Sequence, residues 1–451
     1  MEMVVTKNGK IQGKRKDGCT TYFGIPYAKA PVGELRWKAP QPVEPWDGVL
    51  EATEFPHRAW QMVQTAPKDG KGINYAREFY SNPAFMPPMD EDCLYLNIWR
   101  PLGDAPEGGF PVAFWIHGGA LINGFGSELE FDGEAFARKG VILVTINYRL
   151  GAFGFLCHRL LSEENGGRSG NYGTLDQIAA LTWVRENIAA FGGDPEKITI
   201  FGQSAGAMSV QTLLSSPLSR DIPAGAILQS AGGYQAGILT DRTLEQGYEI
   251  GDVFSEVTGA DTLEKMRALS PEAIMEATGK LMGISFAKGW GLPFNVVIDG
   301  YVMTKGYDQT IEDGDIPDIP YMIGSCGNDI GQTPEMTERG GHSQLYYGCI
   351  NWSLKNAELG RKPAYVYYFD RKLLGDHSGA FHSSELWYVF NTLSRSWRPK
   401  SAGDYALAEE INSYWTNFVK TGDPNGKGLP HWKACSWDSH HVEVLDVVDE
   451  D

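Results

Sequence analysis

The sequence lacks several features that would assign it to a class of protein at once. Its 451 residues contain no run of about 18 or more apolar residues, so no membrane-spanning helix is predicted. The N-terminus, MEMVVTKNGKIQGK, has no basic segment followed by an apolar one, so no secretory signal is expected. Internal repeats and low-complexity tracts are also missing. We therefore expect a globular protein that acts without a membrane.

Cysteine and positive charge are both scarce. The six cysteines are scattered and form no C-x-x-C pair, so neither a disulfide framework nor a zinc site is predicted, and we expect no bound metal. Lys and Arg total 39 against 57 Asp and Glu, which gives a formal net charge of -18. Such a surface opposes binding to nucleic acid or to an anionic membrane. Nucleic acid is therefore not an expected partner.

What the sequence does contain is an alternation of strand-like and helix-like segments. A helix is predicted from a capping box of Thr174 and Gln177 to Gly192, and a second from about Tyr405 to the residue before Gly422. Short apolar runs typical of strands buried on both faces occur at 94–99, 112–116, 141–146, 198–201, 226–228, 321–324 and 365–369. The alternation predicts an α/β fold with a mostly parallel central sheet flanked by helices.

One short stretch indicates chemistry. Ser204 lies in Gly202-Gln203-Ser204-Ala205-Gly206, directly after a predicted strand and before a helix-like segment. The five-residue pattern alone is weak, because a chain with 54 glycines contains about half a match by chance. The strand–turn–helix context is stronger, since a nucleophilic serine needs a turn too sharp for larger neighbours. Ser204 is therefore a candidate nucleophile, and an ordinary turn is the alternative.

A second glycine-rich loop complements the serine. The predicted strand at 112–116 is followed by His117-Gly118-Gly119-Ala120. Glycines at this place let backbone N–H groups approach an oxyanion without obstruction by side chains. A plain glycine-rich loop is the alternative interpretation.

Longer motifs give these features a common meaning. The chain resembles the type-B carboxylesterases of the α/β-hydrolase fold, a family that includes bacterial p-nitrobenzyl esterases, liver carboxylesterases and cholinesterases. The resemblance extends from about residue 5 to 445. The motifs that match are FGGDPEKITIFGQSAG (191–206), EDCLYLNIWRP (91–101), YFGIPYA (22–28), NYR (147–149), GNYG (170–173) and GDPN (422–425).

The resemblance implies a catalytic triad in the order serine, acid, histidine. It makes Ser204 the nucleophile and His382 the base, with His377 a poorer match. It makes Asp329 the acid, although Ile330 stands where relatives have glycine, so Glu335 remains the alternative.

The remaining implied groups are three backbone N–H donors. The resemblance implies an oxyanion hole that consists of the N–H groups of Gly118, Gly119 and Ala205. An alanine at Gly119 is expected to crowd bulky alcohol groups, so that a tert-butyl ester suffers more than an ethyl ester. A triad of this kind needs neither a metal nor an organic cofactor.

The implied function is that of a serine esterase. It is expected to hydrolyse short- to medium-chain or aryl carboxylic esters through an acyl-enzyme, in an open pocket. The partner is a small-molecule ester, and the chain is expected to be a monomer or a small homo-oligomer. An acyltransferase or thioesterase with the same triad is the alternative, and a non-catalytic adhesion or binding protein of the same fold is a remote one.

The implied domain structure is one α/β-hydrolase catalytic domain over 1–451. Cap or lid insertions are expected around 55–90, 234–295 and 330–360. The segment after Asp329 looks shorter than in larger relatives, which favours the open pocket.

Two departures from the family pattern carry further expectations. Secreted relatives place a cysteine near Ala59 to pair with the residue that matches Cys93; its absence favours a reducing, cytoplasmic setting. Cholinesterases carry glutamate directly before the nucleophile, where this chain has Gln203, so choline esters are not the expected substrates.

Overall fold

A computed structural model describes residues 2–67 and 72–447 of the chain. Within these residues the chain forms twelve β-strands and fourteen α-helices. The strands are β1 (Glu2–Val5), β2 (Lys10–Arg15), β3 (Cys19–Pro26), β4 (Val49–Glu51), β5 (Tyr95–Pro101), β6 (Phe110–Ile116), β7 (Ile142–Ile146), β8 (Gly193–Gln203), β9 (Gly225–Gln229), β10 (Tyr321–Cys326), β11 (Tyr365–Phe369) and β12 (Glu443–Leu445).

The helices occupy the connections between the strands and the C-terminal segment. They are α1 (Tyr75–Phe79), α2 (Glu134–Arg138), α3 (Gly151–Phe155), α4 (Arg159–Glu164), α5 (Tyr172–Asn187), α6 (Ala205–Ser215), α7 (Leu244–Thr258), α8 (Leu263–Arg267), α9 (Pro271–Ala287), α10 (Tyr307–Glu312), α11 (Pro334–Glu338), α12 (Gln344–Glu358), α13 (Leu386–Val389) and α14 (Ala402–Thr421). Short 3₁₀ turns lie at Gly33–Leu35, Pro83–Phe85, Ile188–Phe191 and Leu393–Arg395.

The sheet is mostly parallel, as predicted. Its strand order is β1-β2-β3-β5-β7-β6-β8-β9-β10-β11-β12, with β4 beside β2. All neighbours from β7 to β12 are parallel, whereas the pairs from β1 to β3, β3 with β5 and β5 with β7 are antiparallel. Parallel strands place their carboxyl ends at one edge of the sheet, where ligands bind in open α/β sheets.

Both faces of the central strands are buried, which explains their nearly continuous apolar sequences. Ile200 of β8 belongs to one hydrophobic core, with Leu181 of α5 and Val210 of α6. The next residue, Phe201, belongs to the core on the other face, with Trp415 of α14. Helices therefore cover both faces of the sheet, and β8 is buried between them.

One local prediction is wrong. Helix α5 begins at Tyr172 with Asn171 as its N-cap, so Thr174 and Gln177 lie inside the helix and form no capping box. The Gln177 side chain instead donates to Ser209 Oγ on α6 at 3.0 Å. The predicted C-terminus is confirmed, since Gly192 adopts φ 78° directly after the last turn. Tertiary packing against α6 has replaced the local cap.

Candidate active site

Ser204 lies at the sharp turn between β8 and α6. Its backbone has φ 56° and ψ -128°, a conformation that residues with a side chain seldom adopt. Its N–H donates to the carbonyl of Gln229 on β9 at 2.8 Å, which ties the turn to the sheet. The strain is therefore imposed by the surrounding strands, and it holds the serine at the carboxyl edge of the sheet.

The two glycines of the motif are required by packing. A Cβ at Gly202 would lie 2.5 Å from the backbone of Gly206, and a Cβ at Gly206 would lie 2.1 Å from the carbonyl oxygen of Ile116 on β6. Both distances are far shorter than any real carbon contact. The turn thus packs directly against the neighbouring strand and leaves space only for hydrogen at these two positions, as the sequence pattern predicts.

His382 lines the same cavity as Ser204. Its Nδ1 is 2.6 Å from Asp329 Oδ1, and its Nε2 accepts a hydrogen bond from Gln203 Nε2 at 3.3 Å. Tyr75 donates its hydroxyl to the His382 carbonyl at 3.1 Å. A proton on Nδ1 facing Asp329 leaves Nε2 as an acceptor, which is the tautomer that a general base needs. His377, the rival histidine, is exposed.

Burial and the charge of Asp329 act in opposite directions on the pKa of His382. Burial lowers the pKa of the imidazole, but the Asp329 charge, its hydrogen bond and the more distant charge of Glu385 raise the pKa above the ordinary value of 6.5. The imidazolium form, which appears when the ring accepts a proton, is thus stabilised by its neighbours.

Asp329 is fixed by the backbone at the end of β10. Its Oδ2 accepts from the Cys326 N–H at 2.7 Å, and its Oδ1 accepts from the Ile330 N–H at 2.8 Å. Glu335, the alternative acid, lies on α11 and pairs with Arg339 at 2.7 Å, with 70% of its side chain exposed. The structure therefore brings Asp329 to His382 and leaves Glu335 in solvent.

The glycine loop after β6 is held by aromatic stacking. The His117 ring stacks on Tyr148 with 4.4 Å between centroids, and its Nδ1 contacts the Gly118 carbonyl at 2.9 Å. Burial lowers the pKa of His117 to about 4, so the ring is neutral near pH 7. Among the described residues, the N–H groups of Gly118 and Gly119 make no backbone hydrogen bond in turns or loops, and the Ala205 N–H belongs to the first turn of α6, where N–H groups have no partner within the helix. They are therefore free to bind an oxyanion.

The expected crowding by an alanine at Gly119 is wrong in its direction. Gly119 has φ +99°, and an added Cβ would lie 2.1 Å from the carbonyl oxygen of Asn123, on the loop's own backbone. A side chain there would distort the loop itself, whose Gly119 carbonyl accepts from the Asn123 N–H at 3.0 Å. The glycine is required by the fold of the loop.

Two cavities meet at Ser204, which we call the apolar cavity and the acidic cavity after the residues that line them. The apolar cavity, of about 190 Å³, is lined mainly by Met208, Ile238, Leu239, Trp290, Leu292 and Phe294. The acidic cavity, of about 270 Å³, contains Glu128, Glu130, Tyr75, Phe79, Tyr80, Phe131, Gly118, Gly119 and His382. Ala120, Ser204 and Ile330 line both cavities. An ester bound at Ser204 can therefore place one substituent in each.

Sequence reasoning missed several residues around the site. The sequence marked Gln203 only as a departure from the cholinesterase pattern, yet its side-chain amide donates a hydrogen bond to His382 Nε2. Glu385 lies behind His382 and accepts from the Cys326 thiol at 3.0 Å and from Gln229 Nε2 at 3.3 Å. Glu385 follows His382 by three residues in GAFHSSEL (379–386), and that spacing was the available signal. The pair Glu128 and Glu130 had no such signal.

Over residues 2–67 and 72–447 the structure has no cluster of three or more His, Cys, Asp or Glu side chains suited to a metal ion. A search of the same residues finds no helix with the length and apolar character to cross a membrane.

A mostly parallel sheet with a strained serine on the turn after a central strand, beside a histidine held by a carboxylate, defines the α/β-hydrolase class. The model of the carboxylesterase family matches residues 1–347 and 333–450. The chain therefore belongs to the carboxylesterase family and is a carboxylic-ester hydrolase of the serine type.

Individual relatives agree with this assignment. The para-nitrobenzyl esterase of Bacillus subtilis is 34% identical over 99% of this chain and 94% of its own. The human cocaine esterase is 29% identical over 95% and 84%. Among solved structures, a thermophilic p-nitrobenzyl esterase has a TM-score of 0.84 at 31% identity, covering 99% of this chain and 96% of its own.

Proposed function

We propose that Ser204, His382 and Asp329 form the catalytic triad and that the N–H groups of Gly118, Gly119 and Ala205 form the oxyanion hole. One arrangement supports this proposal above the others: Ser204, His382, Gly118 and Gly119 line the same cavity, while Asp329 lies 2.6 Å from the far nitrogen of His382. A nucleophile, a base and the donors are thus within one space that a single ester can enter.

The mechanism follows from these positions. Ser204 Oγ attacks the ester carbonyl carbon while His382 Nε2 accepts the hydroxyl proton, and the three N–H groups stabilise the oxyanion. His382 then returns the proton to the alcohol oxygen as the C–O bond breaks, leaving an acyl-enzyme. Water attacks the acyl carbon with His382 again accepting the proton, and the acid leaves Ser204. Asp329 stabilises the imidazolium throughout.

Covalent labelling and mutation of the serine test this assignment. An organophosphonate should modify Ser204 in the native enzyme, and the modified peptide is identified by mass spectrometry. Ser204→Ala should lower kcat by roughly 10⁶-fold for every ester, while circular dichroism and Tm remain those of the native protein. Modification of another serine, or substantial activity in pure Ser204→Ala protein, overturns the triad.

The proposed substrates are short- to medium-chain and aryl esters in an open pocket. The apolar cavity has Trp290 and Phe294 in its wall, which suits aliphatic and aromatic groups. The name of the Bacillus relative specifies a p-nitrobenzyl ester, which is an aryl-bearing substrate. A panel of p-nitrophenyl esters of increasing chain length, run beside benzoates, measures the preference. Added alcohol or thiol acceptors reveal any acyl transfer.

We also propose that 1–451 is one catalytic domain whose insertions form the walls of the site. Tyr75 and Tyr80 of the 55–90 segment line the acidic cavity, Leu239 and Trp290 of the 234–295 segment line the apolar one, and Ile330 lines both. Residues 68–71 of the first insertion lie outside the described residues. Limited proteolysis at these segments should alter substrate preference before it unfolds the sheet.

The cytoplasm is the proposed compartment, and a monomer or small homo-oligomer the proposed state. Cys93 and Ala59 line the same small cavity, so the position from which secreted relatives would supply a partner holds a methyl group here. Cell fractionation with an antibody to the chain tests the compartment, and light scattering of the purified protein tests the oligomeric state.

A further inference from the structure

The acidic cavity holds two carboxyl groups that the proposed reaction does not use. Glu128 and Glu130 lie in the loop between β6 and α2 and are separated by a single residue. Both line the acidic cavity, which His382 also lines. They are only 5% and 1% exposed. Buried carboxylates are costly unless other groups satisfy them, so the pair requires an explanation.

The hydrogen bonds of the pair are incomplete. Glu128 Oε1 accepts from the Phe125 N–H at 2.9 Å and from the Tyr80 hydroxyl at 3.2 Å. For Glu130, no donor from residues 2–67 or 72–447 reaches Oε2. This buried oxygen can be satisfied by a proton shared with Glu128 or by a donor on a bound molecule.

Two buried carboxylates elsewhere in the chain pair with an arginine, whereas buried Glu385 has, within the described part of the chain, only the Cys326 thiol and the Gln229 amide as donors. Asp176 pairs with Arg149 at 2.7 Å and Glu78 with Arg398 at 2.9 Å. Among the described residues, no arginine or lysine forms an ion pair with Glu128 or Glu130. Glu128 and Glu130 therefore lack the cation that Asp176 and Glu78 have, and unlike Glu385 they line the cavity that contains Ser204.

The electrostatics of the pair favour an incoming positive charge. Burial raises the pKa of Glu128. Burial, the charge of Glu128 and a hydrogen bond to it raise the pKa of Glu130 well above its ordinary value. The guanidinium of Arg58 lies 5.3 Å from the Phe125 ring centre and offsets part of the Glu128 charge. A cation in the cavity would therefore stabilise the ionised pair and lower the pKa of both carboxyls.

Aromatic rings complete the surroundings. Tyr75, Phe79, Tyr80 and Phe131 line the same cavity as the two carboxyls. Ring faces attract ammonium groups, and a carboxylate adds a charge-assisted hydrogen bond to any N–H that the cation carries. The combination is typical of sites that recognise amines.

We propose that Glu128 and Glu130 bind a protonated primary or secondary amine in the alcohol part of the substrate ester. The assignment to the alcohol part rests on the proposed function, because His382 must protonate the leaving oxygen and lines this cavity rather than the apolar one. The N–H of such an amine supplies the donor that Glu130 Oε2 lacks. A quaternary ammonium group has no N–H, so choline esters do not meet this requirement.

Matched benzoate esters test the proposal. ω-Aminoalkyl benzoates with butyl to hexyl spacers are compared with alkyl benzoates that carry methyl in place of the ammonium group, and with ω-hydroxyalkyl benzoates. In the native enzyme at pH 7.5, kcat/KM for the best amino ester should exceed that of its alkyl counterpart by roughly tenfold, the scale of one hydrogen bond to a charged group. Glu130→Gln should reduce this ratio to near one.

Controls separate the amine site from general effects. Glu107→Gln removes the same charge from an exposed loop and should leave the ratio unchanged. Should Glu130→Gln fail to fold, competitive inhibition of the native enzyme is decisive, since an aminoalcohol should inhibit more strongly than the alkanol of equal length. Equal ratios in native and Glu130→Gln enzymes overturn the amine site, as does an equal gain for hydroxyalkyl esters. If Ser204 also resists organophosphonate labelling, the proposed triad fails as well; labelling with an unchanged ratio removes the amine site alone.

Discussion

The two cavities that meet at Ser204 are built from different parts of the chain and from different chemistry. The apolar cavity is walled mainly by residues between β9 and β10, where Leu239, Trp290 and Phe294 lie beside Arg242 and Asn295. The Arg242 guanidinium is already satisfied within this wall, because it donates to the carbonyls of Pro293 and Leu292. The acidic cavity is walled by α1 and the loop after β6, where carboxyls and hydroxyls lie among aromatic rings. Apolar contacts discriminate weakly between similar groups, whereas buried polar groups without a partner reject any substituent that leaves them unpaired. We therefore expect kcat/KM to change gradually with the size of the substituent in the apolar cavity. In the acidic cavity we expect it to depend strongly on whether the substituent can form hydrogen bonds.

The largest expected effect is a loss of kcat that does not depend on which cavity holds which substituent. Asp329→Asn should lower kcat by about 10⁴-fold for every ester, because the amide no longer holds His382 in its working tautomer. The loss should be equal for esters that differ only in the acyl group and for those that differ only in the alcohol. Glu335→Gln is the matched control, since that side chain is exposed and should be silent. The reverse outcome would move the acid to Glu335.

The next effect concerns the loop above the acidic cavity. Gly119→Ala should lower kcat by about 10²- to 10³-fold through loss of one oxyanion donor. Since the new Cβ meets Asn123 and not the substrate, ethyl and tert-butyl benzoates should lose equally. Gly48→Ala, at φ +82° in open space, is the control for backbone strain without a clash. A greater loss for the tert-butyl ester would restore the crowding that the sequence suggested.

A change of pH dependence should follow from one added carboxylate. Gln203→Glu places a negative charge at Nε2 of His382, and the pKa of His382, already above its ordinary value, should rise further. Because the general base must be neutral, activity is lost as pH falls through this pKa. The acid limb of the kcat/KM profile should therefore move to higher pH, with the plateau above it less affected. Gln203→Met removes the amide without adding charge; an equal displacement in that variant would contradict the electrostatic cause.

The smallest effect tests the boundary between the cavities. Ile330 lines both of them and is 48% exposed, so its side chain helps to separate the two substituents. Ile330→Ala should raise kcat/KM for tert-butyl esters relative to ethyl esters by about threefold to tenfold, as expected for a modest gain of apolar space. The main-chain N–H that Asp329 accepts from remains, so kcat for ethyl esters should be nearly constant. An unchanged ratio would mean that Ile330 does not divide the site.

The sequence predicted those parts of the molecule that depend on short-range pattern or on long motifs. The central strands, the sheet type and the turn at Ser204 follow from apolar runs and from two glycines that have no space for a side chain. Asp329 could be placed only by resemblance, since the choice over Glu335 depends on how the chain leaves β10. The Glu128–Glu130 pair could not be predicted, because only the path of the loop brings both carboxyls into one buried cavity.

The tight packing beneath Ser204 also limits how this enzyme can change over evolutionary time or in a directed-evolution library. Substitutions at Gly202 or Gly206 have no nearby conformation that accepts them, so the floor of the site tolerates almost no variation. Residues 238–240, 242, 290–292, 294 and 295 lie outside the sheet and line the apolar cavity. Randomised libraries aimed at these wall positions should yield active variants with new preferences, while libraries that include the floor should consist mostly of inactive clones.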